Sequence, residues 1–137
     1  MKSVVVGLAA SIALATIPAH AQDGIVVAGN ADAGAIVFKK CRACHTVGIN
    51  AKNGVGPVLN GIVARPAGTY PDYGYSAAKQ NSGLIWDEST LATYLRAPRK
   101  LVPGTKMSFA GLKKDQEIAD VIAFLRQFDA DGSQTAP

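Results

Sequence analysis

The chain has 137 residues, 48% of them hydrophobic, and a formal charge of +4. That length gives room for one domain and not two. The charge is far below that of a nucleic-acid binder, although it suits an acidic partner surface, and two cysteines allow at most one disulfide.

The first residues read as an export signal. Lys2 gives a positive start, Val4 to Ile17 is an uncharged apolar run, and Pro18-Ala19-His20-Ala21 puts small residues where a signal peptidase reads. A helix spanning a bilayer needs roughly 20 apolar residues; this run is shorter and ends at a proline, which favours cleavage after Ala21 over an uncleaved anchor. The expectation is a leader over residues 1–21, a periplasmic single domain over 22–137 with a core of about 30–128, and no later span. Losing Lys2 and His20 takes the formal charge from +4 to +3 and leaves His45 as the one histidine.

Residues 22–30 form a loose lead. Asn30 or Asp32 caps a short helix through Lys40 that carries Ile36, Val37 and Phe38. From His45 to about residue 74 the chain is dense in Gly, Asn and Pro, and so long a loop in a small domain needs something other than secondary structure to order it. Ser76 to Asn81 predicts a short helical turn. Asp87 or Ser89 caps a helix through Ala97, stopped by Pro98, with Leu91, Tyr94 and Leu95 on one face. After the turn-rich "LVPGTKMSFAGL", Ile118, Val121, Ile122 and Leu125 follow helical spacing in a helix over about 114–128. The tail "DADGSQTAP" is polar, and no strand pattern or internal repeat is present. The reading is all-α: three main helices and two long loops around a thin core, which a large apolar ligand would complete.

"CRACH", residues 41–45, allows three chemistries. A redox dithiol needs an α/β setting that is missing here. A structural zinc needs four ligands, and after removal of the leader only Cys41, Cys44 and His45 remain among cysteines and histidines. The third is covalent haem attachment, in which each thiol adds to a haem vinyl group and the adjacent histidine can ligate iron. This reading uses every part of the motif, and a single motif implies one haem c per chain. A second axial ligand is then needed. Met107 is the one methionine left after the leader, in "PGTKMSFAG". A lone methionine is usually core filler, yet this one lies outside any periodic face, on a loop tied by the turn residues Pro103, Gly104 and Gly111. A thioether is a soft, neutral donor that favours ferrous iron and raises the potential. A centre closed by histidine and methionine moves electrons and binds no substrate.

With "GVGPVLNG", "YSAAK", "GLIWDESTLATYL", "PGTKMSFAG" and "IADVIAFL" following "CRACH" in order, the chain resembles the class I cytochromes c over about residues 30 to 128. The resemblance implies the cytochrome c fold, three main helices and long loops wrapped around one covalently bound haem. It implies that Cys41 and Cys44 form the thioethers, that His45 and Met107 are the axial ligands, and that the Pro57 carbonyl accepts a hydrogen bond from His45. By the same resemblance Arg65, Tyr75 and Trp86 surround the haem propionates, Thr105 lies near a propionate, and Tyr94 lies near the methionine sulfur. Gly34, Phe38 and Phe124 match the close crossing of the first and last helices. The family often carries an asparagine four residues after the tyrosine matched by Tyr75; here that residue is Lys79. On spacing alone, Trp86 and Tyr94 read as core aromatics, Arg65 as a solvated arginine and Gly56-Pro57 as a turn.

Lys39, Lys40 and Arg42 flank the attachment motif, and Arg99, Lys100, Lys106, Lys113 and Lys114 flank or follow the methionine loop. Singly these are surface charges; clustered, they suggest a basic ring. The resemblance implies a soluble, monomeric one-electron carrier. Its partners would be the acidic docking faces of membrane complexes: a quinol–cytochrome c reductase, and a terminal oxidase or photosynthetic reaction centre. A dedicated acceptor for one periplasmic dehydrogenase would look the same in sequence. A c-type haem peroxidase or gas-binding protein would need an open distal position.

Overall fold

The computed structural model describes residues 27–135, so the proposed leader lies outside the described residues. Five helices follow in order: α1 (Ala31–Phe38), α2 (Ala77–Gln80), α3 (Glu88–Arg96), α4 (Pro98–Leu101) and α5 (Asp115–Arg126). Among the described residues there is no strand, only isolated bridges at Pro66–Ile85 and Phe128–Gln134. No described helix is long and apolar enough to cross a membrane.

α1 starts where Asn30, itself extended, accepts a hydrogen bond from the Ala33 backbone N–H at 2.9 Å through its side chain, which satisfies one of the orphan donors of a first turn. α5 buries Ile118, Val121, Ile122 and Leu125, none of them more than 5% exposed. Removing each such side chain from water is worth about 1.5–3 kcal/mol. That stripe outweighs the ion pair at 2.8 Å that Lys40, in the turn after α1, makes with Glu117 of α5.

The two helices cross tightly. A Cβ on Gly34 would lie 2.0 Å from the Asp120 carbonyl oxygen, so only glycine permits the approach. Phe38 and Phe124 meet beside it with ring centroids 5.1 Å apart. Asp120 is buried at the crossing, and its carboxylate accepts from the Asn30 backbone N–H and from Gln116 Nε2, each at 2.8 Å. Burial of this charge is tolerated because it is hydrogen-bonded.

α3 is capped by Asp87, whose carboxylate accepts from the Thr90 N–H and the Ser89 hydroxyl, both at 2.7 Å. Leu91, Tyr94 and Leu95 point inward and are buried. The helix ends at Ala97 (φ −155°, ψ 75°), and Pro98 opens α4 as its first residue. The sequence reading placed the stop correctly and missed the short helix beyond it. Proline lacks the N–H that a first turn leaves unpaired anyway, so the residue that ends one helix can begin another.

Backbone pairing orders part of the long loop. Ala64 N–H donates to the Trp86 carbonyl, Trp86 N–H to Arg65, and Ala67 N–H to Leu84, at 2.8–2.9 Å. Asn60, 4% exposed, bonds both the N–H and the C=O of Gly48, at 2.8 and 2.9 Å. The polar tail folds back: Thr135 N–H donates to Gln127 and Gly61 N–H to Phe128, both at 2.9 Å.

Candidate functional site

These elements enclose a cavity of about 280 Å³. The turn after α1 brings Cys41, Cys44 and His45 to it. The 54–65 loop brings Pro57 and Arg65, the approach to α2 brings Tyr75, and α3 brings Tyr94. Trp86, Thr105 and Met107 complete the set, so every residue that the sequence assigned to the haem site lines this one space.

Continued backbone bonding past α1 places the motif. Cys41 N–H donates to the Phe38 carbonyl at 2.8 Å and His45 N–H to Cys41 at 2.9 Å. The thiols are free; Cys44 is exposed and Cys41 half-buried. Burial pushes the Cys41 thiol above its ordinary value, with Lys40 pulling the other way. Reactive redox dithiols have the opposite property, a lowered thiol pKa. Among the described residues no group of three or more His, Cys, Asp or Glu side chains is placed to hold a bare metal ion; the arrangement is consistent with haem attachment at "CRACH".

His45 Nδ1 lies 2.7 Å from the Pro57 carbonyl oxygen. A carbonyl can only accept, so Nδ1 carries the proton and Nε2 keeps its lone pair. Burial also holds the imidazole below its ordinary pKa, the Pro57 bond opposing it in part. Gly56 makes room for the ring: a Cβ there would lie 2.4 Å from His45 Cε1.

Met107 is held from two directions. Its N–H donates to Thr105 Oγ1 at 3.3 Å, and its sulfur accepts from the Tyr94 hydroxyl at 3.2 Å. Tyr94 and Thr105 oxygens are 3.4 Å apart. One proton order satisfies all three groups: Thr105 donates to Tyr94, and Tyr94 donates to Met107. Tyr94 packs against Trp86 with centroids at 4.8 Å, and burial pushes its phenol above the ordinary value.

Arg65 sits deeper than a solvated arginine. Its guanidinium donates to the Asn60 carbonyl at 2.7 Å and lies 4.8 Å from the Tyr70 ring centroid. Tyr75 packs edge-on against Tyr73, and its hydroxyl oxygen accepts from the Tyr70 N–H at 3.3 Å. Tyr73, unmarked in the sequence reading, also lines the cavity and donates to the Val55 carbonyl at 2.6 Å. Lys79 is 8% exposed, with its ammonium 3.6 Å from the Tyr94 ring centroid and 4.6 Å from that of Trp86. Nothing in "YSAAKQ" announces a buried lysine.

The lining fits haem. It offers two thiols and two neutral donors, a ring nitrogen and a thioether sulfur. The walls include Phe38, Ile62, Leu95, Val121 and Leu125. Lys40, Arg65, Lys79 and Lys106 reach the space and no carboxylate does, as an apolar group carrying two acid side chains requires.

An all-helical shell around one such cavity, with the attachment motif opening the domain, defines a covalent haem carrier. The family model for cytochrome c matches residues 31–129. Cytochrome c2 of Blastochloris viridis is 47% identical over 137 residues, covering 98% of this chain and 99% of that protein. Cytochrome c2 of Rhodoblastus acidophilus is 54% identical over 107 residues, covering 78% and 100%. The solved structure of cytochrome cH from Methylobacterium extorquens superposes with a TM-score of 0.68 at 44% identity, over 72% of this chain and 98% of that one. The chain belongs to the cytochrome c family; it is an electron carrier and not an enzyme.

Proposed function

We propose that the protein is a periplasmic, monomeric one-electron shuttle with one haem c, matured by removal of residues 1–21. Cys41 and Cys44 form the thioethers, and His45 and Met107 are the axial ligands. Haem supplies a reversible one-electron couple when bound; the chain supplies position and field. The Pro57 carbonyl fixes the His45 ring through Nδ1, and Nε2 would be the atom to hold the iron. Thr105 and Tyr94 hold Met107, while Trp86, Tyr75 and Arg65 wall the acid side chains. The observation that carries this reading is the double hold on the ligand pair. His45 and Met107 line the same cavity as both cysteines, and each is fixed by a hydrogen bond that leaves one lone pair free.

Lys39, Arg42, Arg99, Lys100, Lys113 and Lys114 are exposed, and Lys40 and Lys106 reach the cavity itself. This distribution supports brief docking to acidic faces of a quinol–cytochrome c reductase, and of a terminal oxidase or photosynthetic reaction centre.

The optical spectrum of the ferric protein tests the ligand set. A methionine–iron charge-transfer band is expected in the wild type and not in Met107→Ala. A band that survives the substitution removes Met107 as ligand, and rapid carbon monoxide binding by the wild-type ferrous protein removes the closed-centre reading.

A further inference from the structure

Four cationic side chains line the cavity, and three of them have partners within the chain. Lys40 Nζ pairs with Glu117 at 2.8 Å, Lys106 Nζ donates to the Gly74 carbonyl at 2.9 Å, and Arg65 donates to the Asn60 carbonyl at 2.7 Å. Lys79 Nζ is the one buried side-chain nitrogen or oxygen among the described residues without a hydrogen-bond partner. The rings of Tyr94 and Trp86 support it from one side, and a cation on two aromatic faces is held but not saturated. An ammonium has three donors, and leaving them unmet in a buried site costs more than the rings return.

Nothing else facing the cavity can neutralise it. The titratable groups there besides the four cations are the thiols Cys41 and Cys44, the neutral imidazole of His45 and the phenols of Tyr73, Tyr75 and Tyr94. None of them is a carboxylate.

We propose that Lys79 binds a carboxylate of the prosthetic group directly, as an internal counterion, and through that pairing raises the reduction potential. This rests on the haem reading above. A positive charge close to the iron favours the ferrous state, which carries one positive charge fewer. Removing it shifts the couple toward ferric. The chain has thus placed a full charge inside the pocket, where solvent and salt screen it least.

Burial alone depresses the Lys79 ammonium to about 8. A carboxylate partner acts against that depression by favouring the charged form. Pairing therefore predicts an ammonium that stays protonated well above pH 8, and a bare cation on two rings predicts deprotonation near that value.

The test uses haem-loaded wild type, Lys79→Met and Lys79→Arg, with reduction potentials measured at pH 7. Lys79→Met is expected to lower the ferrous-to-ferric ratio at fixed solution potential about tenfold, a shift of 59 mV for one electron. Lys79→Arg is expected to keep the wild-type value, which a merely space-filling role would not restore. A Lys79→Met ferrous-to-ferric ratio within twofold of wild type at the same solution potential, with the methionine–iron band intact, overturns the proposal and leaves the electron-carrier reading standing. Absence of that band in wild type overturns the ligand reading instead. If Lys79→Met does not hold haem, NMR titration of the Lys79 side chain in the wild-type ferrous protein decides: protonation retained at pH 9 supports the pairing, and deprotonation near pH 8 overturns it.

Discussion

The hydroxyl of Tyr94 lies 3.2 Å from the sulfur of Met107 and donates to it. α3 provides the first residue and the loop after α4 the second. The bond therefore ties the rigidity of a helix to a side chain on an irregular segment.

Tyr94→Phe removes that donor and keeps the ring. Donation to sulfur withdraws electron density from it, so the variant's thioether is the better donor to ferric iron. A lower reduction potential is expected, with a stability loss of about 0.5–1.5 kcal/mol for one buried hydrogen bond. Potentiometry and urea unfolding check both, and a raised potential would contradict the donor direction.

Gly56→Ala puts a methyl into the His45 ring, 2.4 Å from Cε1. The imidazole must turn away from the Pro57 carbonyl. Expected outcomes are a high-spin ferric fraction and an overpacking cost of about 1–3 kcal/mol. An unchanged low-spin optical spectrum would show that the ring has slack.

Gly34→Ala strikes the helix crossing, where the added carbon meets backbone, the Asp120 carbonyl at 2.0 Å, and no flexible tip can yield. About 3 kcal/mol or more of destabilisation is expected from forced separation of α1 and α5. The urea midpoint reports it, and the His–Met optical bands are expected to persist in the folded fraction.

The Asp87 cap predicts a pH dependence. Hydrogen bonds from Thr90 and Ser89 hold its carboxyl below the ordinary carboxylate range. A depressed folded value contributes stability above the unfolded pKa, which is lost as pH falls through the folded one. Wild type should exceed Asp87→Ala in urea midpoint at pH 7. Part of that gap should close as the pH falls below about 3.9, the ordinary aspartate value. A gap unchanged down to pH 2 would mean that the charge of Asp87 plays no part.

The fast electron transfer expected with an acidic partner should slow as salt is added, because the exposed basic groups are screened over about 8–10 Å at 0.1–0.15 M. Stopped-flow measurements across ionic strengths check it, and a flat rate would remove the basic ring as docking surface.

The three longer helices were legible through a cap, a spacing or both: Asn30 caps α1, Asp87 caps α3, and Ile118, Val121, Ile122 and Leu125 form the buried stripe of α5, which has no side-chain cap. α4 was not, because Pro98 reads as a terminator and only the backbone of Ala97 shows that a new helix begins. The site was legible where chemistry is carried by residue type, at Cys41, Cys44, His45 and Met107. It was illegible where position decides. Asn60 could have been any loop asparagine, and Lys79 any surface lysine, until the chain folded around them.

The Asn30–Asp120 bond at the α1–α5 crossing joins positions 90 apart in sequence. An emerging chain cannot close that clasp until almost all of it has been delivered, because the last helix must arrive to cover the first. Until then the cavity lacks the wall that Val121 and Leu125 of α5 give it. The order of assembly is thereby written into the topology: the partner that arrives last is the one that seals the pocket.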